Sequence, residues 1–141
     1  LAARQAYTST MQNNPWLTGT IIRGDGRGRG LGFPTANLKL EKEEQCPADG
    51  IYAVWAQLAG QTRPAVAHVG PRPTFPGATP TIEIHILDFP DRDLYGQSPK
   101  IQFVLKIRDI AHFDTVEALV QAIQKDCNAT RKILRELSQH A

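Results

Sequence analysis

Thr81-Ile82-Glu83-Ile84-His85-Ile86-Leu87-Asp88-Phe89 is the stretch that decides how this chain folds. Ile82, Ile84 and Ile86 alternate with Glu83, His85 and Leu87. A period of two is the mark of a strand with one buried face, because successive side chains point to opposite sides of the sheet. Lys100 to Arg108 repeats the pattern, and Ile101, Phe103, Leu105 and Ile107 are expected to share one face. Leu17 to Arg23, Ile51 to Leu58 and Pro64 to Val69 also carry strand composition, punctuated by Asp49-Gly50 and Gly60-Gln61. Short alternating strands of this kind pair antiparallel.

The end of the chain changes period. Val116, Leu119, Val120, Ile123 and Cys127 recur three and four residues apart, which predicts an amphipathic helix. Asp114 with Glu117 is placed to form its capping box. Short strands closed by one helix point to a mainly β fold: a small barrel whose mouth or end the helix covers.

Composition narrows the class. A chain of 141 residues suits one core, and its 41% hydrophobic and 21% charged residues are ordinary for a globular domain. A formal charge of +2 gives no basic stripe for nucleic acid. No apolar run reaches the roughly 20 residues that span a bilayer. Cys46 and Cys127 match no metal or redox spacing, and a reduced, cytoplasmic setting is expected. Residues 1–15, ending in Asn13-Asn14-Pro15, read as a linker or the remnant of an upstream domain, with one domain over 16–141.

Chemistry concentrates first in Gly24-Asp25-Gly26-Arg27-Gly28-Arg29-Gly30-Leu31-Gly32-Phe33-Pro34-Thr35-Ala36-Asn37. Backbone N–H groups in such a segment can turn toward one anion, and Arg27 and Arg29 add positive charge. Thr35 and Asn37 offer oxygens beside it, the ligand type magnesium takes next to bound phosphate. The dinucleotide fingerprint fails at Leu31, and no Lys-Ser or Lys-Thr completes a P-loop. On spacing alone a plain loop remains somewhat the better reading, and an RNA-binding Arg-Gly tract is a third.

Glu83 is either a solvated strand carboxylate or, if its face lines a pocket, a general base. His85 shares that face, so one of the two could support the other. Arg108 either forms a surface ion pair with Asp109 or offers a planar guanidinium at a cavity rim, with Phe113 beside it to stack on a flat ligand. Tyr95-Gly96 is a turn or part of an adenine pocket. His68 reads as structural.

In order along the chain, these segments resemble the riboflavin kinase family. The matching motifs are the Gly-Asp-Gly-Arg-Gly to Gly-Phe-Pro-Thr-Ala-Asn segment, Asp49-Gly50-Ile51-Tyr52-Ala53-Val54, and Val69-Gly70 with Arg72-Pro73-Thr74-Phe75. Glu83 to Phe89 with Leu94-Tyr95-Gly96, and Ile107-Arg108 with Phe113-Asp114, complete the set. The resemblance implies a six-stranded antiparallel Greek-key-type β-barrel with a C-terminal helix, which transfers the γ-phosphate of ATP to the 5′-hydroxyl of riboflavin to give FMN. It implies that Gly24, Gly26, Gly28, Arg29, Thr35, Ile86, Asp88 and Tyr95 bind ATP. Thr35 and Asn37 would hold Mg2+ or another divalent cation, and Glu83 would be the base. Arg108 and Phe113 would contact the flavin. Ile110 and Ala111 depart from the glutamate and lysine usual at their positions, and His68 from a usual asparagine. The implied partners are ATP and riboflavin, with an FMN adenylyltransferase domain upstream in full-length bacterial proteins. This sequence holds no His-x-Gly-His nucleotidyltransferase signature.

Overall fold

The structure is a computed structural model that describes residues 14–23, 31–70, 81–90 and 92–140. Six strands close into a barrel: β1 (Leu17–Ile22), β2 (Ala36–Leu40), β3 (Gly50–Leu58), β4 (Gln61–Val69), β5 (Ile82–Ile86) and β6 (Lys100–Arg108). Around the barrel the order is β1-β2-β5-β4-β3-β6, with β6 closing onto β1. Every pairing is antiparallel. β3, β4 and β5 follow one another as hairpin neighbours while β6 returns beside β3, which is a Greek-key connection. The barrel and its antiparallel pairing are as expected; β2, with its polar start Ala36-Asn37, is an additional strand that alternation alone did not single out.

The isoleucines of β5 point inward as their spacing requires: Ile82, Ile84 and Ile86 are buried with Leu17, Leu38, Val54, Val69 and Phe103 in the barrel core. Glu83 and His85 face out. At residue 19 a Cβ would come within 2.6 Å of the buried Leu38 side chain on β2, so any larger residue would force Leu38 to shift.

β6 does not keep the single face its sequence suggests. Ile101 and Phe103 enter the barrel core, whereas Val104, Leu105 and Ile107 belong to clusters outside it. The cause is in the pairing with β3. Val54 faces Phe103 and Ala53 faces Leu105, so Val104 is an extra residue that flips the frame. A second irregularity, between Ile51 and Tyr52, leaves Ile107 extra and sets Arg108 opposite Ile51.

The helix α1 (Val116–His140) packs along the outer wall of the barrel rather than over its mouth. Ile133, Leu134 and Leu137 bury against Ala53 and Val104, and Cys127 against Ile51, Val66 and Leu87. Those outward apolar residues on β3, β4 and β6 are what give the helix a wall to cover. Val116, the first member of the expected stripe, is 58% exposed. The cap also shifts by one residue: Thr115 Oγ1 accepts from the Ala118 N–H at 3.1 Å, so threonine rather than Asp114 closes the first turn. Among the described residues no helix is long and apolar enough to cross a membrane.

Candidate active site

One row of the sheet assembles the site. Asn37 on β2 stands opposite Glu83 on β5, Glu83 opposite His68 on β4, His68 opposite Ile51 on β3, and Ile51 opposite Arg108 on β6. Five residues scattered over 72 positions of sequence (37 to 108) thus lie side by side, all on the outward face. Together with Phe33, Thr35, His85, Phe113, Leu119, Ile123 and Asp126 they line a cavity of about 660 Å³ between the barrel wall and α1. That volume lies within the range of about 300–1,000 Å³ usual for small-molecule sites. With strands about 4.8 Å apart, Arg108 sits three spacings, roughly 14 Å along the wall, from Glu83.

At one end of the row the arginine is held firmly. Arg108 donates from Nε to Asp126 Oδ1 at 2.9 Å and from Nη2 to Asp126 Oδ2 at 2.8 Å, a bidentate pair. It donates from Nη1 to the Asp109 carbonyl at 3.1 Å, and its guanidinium lies 5.6 Å from the centre of the Phe113 ring. The partner expected from neighbouring sequence, the Asp109 carboxylate, instead meets Lys106 Nζ at 2.6 Å. That contact lowers the Asp109 pKa and raises that of Lys106. Asp126, only 4% exposed, is a site residue that sequence reasoning missed. Its one signal was an acid placed beside Cys127 on the apolar side of the helix.

At the other end of the row a second cavity opens. About 130 Å³ in volume, it is lined by Arg23, Thr35, Asn37, Ile86, Phe89, Arg92 and Tyr95 among others. Arg23 lies 4.1 Å over the Tyr95 ring, and Arg63 and Arg92 lie 5.1 and 4.9 Å from the Phe89 ring. These arginines and Phe89 carried no spacing signal. Asp88 is absent from the lining; its carboxylate meets Arg131 of α1 at 3.1 Å, and its backbone takes a left-handed φ of 56°.

Thr35 and Asn37 line both cavities. Thr35 Oγ1 is buried and has no hydrogen-bond partner among the described residues. An unsatisfied buried hydroxyl costs about 1–3 kcal/mol, so its lone pairs are available to a ligand. A hydroxyl and an amide oxygen form a hard-oxygen donor set that fits magnesium, which takes few protein ligands and completes its shell with phosphate and water. Gly24, Gly26, Gly28 and Arg29 lie outside the described residues.

Gly70, at the end of β4, also borders the larger cavity. Its φ of +96° and a Cβ position 2.5 Å from Asp49 leave no room for a side chain.

Comparison with known proteins agrees with this architecture. Residues 11–134 match the family model described as riboflavin kinase. A bifunctional riboflavin kinase/FMN adenylyltransferase of Listeria monocytogenes is 38% identical over 125 residues, covering 87% of this chain and 40% of the relative. A riboflavin kinase structure from Trypanosoma brucei superposes with a TM-score of 0.64 at 29% identity, covering 88% of this chain and 79% of that one. A Streptococcus pneumoniae structure described as a macrolide-efflux protein has a TM-score of 0.77 at 34% identity, over 92% of this chain and 45% of its own. The chain spans about two fifths of the length of the curated bifunctional relatives it matches, 36% and 40% in two of them. From motif order, barrel topology and these matches together, the chain belongs to the riboflavin kinase family.

Proposed function

We propose that this domain transfers the γ-phosphate of ATP to the 5′-hydroxyl of riboflavin, giving FMN and ADP. The observation that carries the reading is that Thr35 and Asn37 border two cavities at once, one aromatic and arginine-rich, the other larger and largely apolar. A phosphoryl donor and an acceptor entering from opposite sides would meet at these residues.

The larger cavity suits riboflavin. The roughly 14 Å between Glu83 and Arg108 along the wall accommodates a ribityl chain, with the flat ring toward Phe113 and Arg108. The guanidinium, already oriented by Asp126, would donate to ring oxygens or nitrogens. Ala111, exposed at the cavity edge, offers no charge to the ring. The smaller cavity would take one end of the nucleotide, with Tyr95 and Phe89 toward its base and Arg23 and Arg92 toward its phosphates; the glycine segment is assigned to the phosphates from its sequence alone.

The Glu83 carboxylate faces the larger cavity next to Asn37 and would accept the proton of the 5′-hydroxyl as that oxygen attacks the γ-phosphorus. The new O–P bond forms as the bond to the β-phosphate oxygen breaks, and ADP leaves with those electrons. A divalent cation held at Thr35 and Asn37 would neutralise charge on the donor phosphates.

Glu83→Gln tests the assignment. Retained binding of riboflavin and ATP with turnover reduced about 10²- to 10⁴-fold is expected. Wild-type turnover in that variant would remove Glu83 from the mechanism.

A further inference from the structure

Residues 33–35 lead from the glycine segment into β2, whose ladder begins at Ala36 opposite Ile84. Thr35 therefore stands one residue outside the ladder, yet it carries the buried hydroxyl at the junction of the cavities. His85 supplies a tether at this point. Its Nδ1 lies 2.8 Å from the Pro34 carbonyl oxygen. A carbonyl only accepts, so Nδ1 carries the proton. Phe33 meets the imidazole edge-on, with ring centres 5.7 Å apart and planes at 85°, which fixes the ring. The bonded oxygen belongs to the peptide joining Pro34 to Thr35. Because the proline ring already fixes φ at residue 34, holding that carbonyl restricts the direction in which Thr35 leaves.

We propose that His85 is a positioning residue for phosphoryl transfer: by donating from Nδ1 to the Pro34 carbonyl, it sets Thr35 Oγ1 where the donor phosphates and their cation are received. The inference rests on the kinase reading above. It gives two neighbours on one strand face separate tasks. Glu83 meets the acceptor hydroxyl, while His85 fixes the donor side through the backbone.

Two isosteres separate this role from simple packing. The amide nitrogen of an asparagine can sit near the Nδ1 position, and that of a glutamine nearer Nε2. His85→Asn should keep the bond to Pro34 and stay within about twofold of wild type. In His85→Gln, loss of one hydrogen bond should lower kcat about tenfold and raise the half-saturating Mg2+ concentration similarly. Equal behaviour of the two variants would overturn the proposal. A second readout needs neither variant nor activity: ¹H–¹⁵N correlation of the unliganded wild-type imidazole should place the proton on Nδ1. An Nε2–H tautomer would overturn it. Failure of the wild-type chain to form FMN would refute the kinase reading and this role with it, whereas normal wild-type FMN formation with indistinguishable variants would refute the role alone.

Discussion

Removing the Asp126 carboxylate should reveal what the flavin-side arginine depends on. In Asp126→Leu the Arg108 guanidinium loses both charge-assisted bonds, at 2.9 and 2.8 Å, and keeps only its donation to the Asp109 carbonyl. Breaking a fully buried pair costs about 3–5 kcal/mol because a charge is left unpaired. Here the carboxylate is buried, with 6% of its side chain exposed, but 27% of the arginine side chain reaches water, so the freed guanidinium is partly rehydrated. A loss of about 2 kcal/mol follows, which in a domain of this size lowers Tm by about 7 °C. Riboflavin affinity should fall by about five- to tenfold, because the donor fork is no longer held in one plane. The double variant Arg108→Met/Asp126→Leu distinguishes pairing from packing. Replacing both charges by apolar groups should recover most of the stability, since a buried pair is often matched by hydrophobic residues. It should not recover flavin binding. Thermal unfolding with riboflavin fluorescence titration on the four proteins of the cycle measures both quantities. Additive losses in the double variant would show that the two side chains are not coupled, against the pairing described.

Thr35→Val removes a buried hydroxyl that has no partner among the described residues, and should stabilise the unliganded protein by about 1 kcal/mol while weakening nucleotide and metal use; calorimetry showing a destabilised apo protein would contradict this. Burial pushes the Cys127 thiol above its ordinary 9.0, so the folded state holds its proton more tightly than the unfolded state. Its contribution to stability is fully present below pH 9 and falls as pH rises above that value toward the folded pKa. Tm measured from pH 8 to 10.5 should therefore fall more steeply in the wild type than in Cys127→Ala, and parallel curves would count against it. The chain alone should make no FAD from FMN and ATP, since it lacks a His-x-Gly-His signature; chromatographic detection of FAD would reverse that expectation.

Much of the barrel was legible because β5 obeys one rule throughout: each isoleucine enters the core and each intervening polar residue leaves it. β6 was misread because its bulges arise from pairing with β3, and nothing within Lys100 to Arg108 announces an extra residue. Thr115 displaced Asp114 as the cap because both are good capping residues and only backbone geometry chooses between them. Glu83, Arg108 and Phe113 stood out in the sequence by strand face, strand end and motif order, and all three line the larger cavity. The ladder row from Asn37 to Arg108 could not, since it exists only once five strands are in register. Asp126 stayed hidden for the same reason: a lone acid in a helix reads as surface until an arginine from another element reaches it.

The central claim is that Thr35 and Asn37 mark the meeting point of a phosphoryl donor and a flavin acceptor. ³¹P NMR of the purified chain with riboflavin, ATP and Mg2+ tests it directly. Loss of the ATP γ-resonance in step with growth of the FMN phosphomonoester and of ADP is expected. Release of inorganic phosphate without the ester, or an unchanged spectrum across a series of divalent cations, would contradict it.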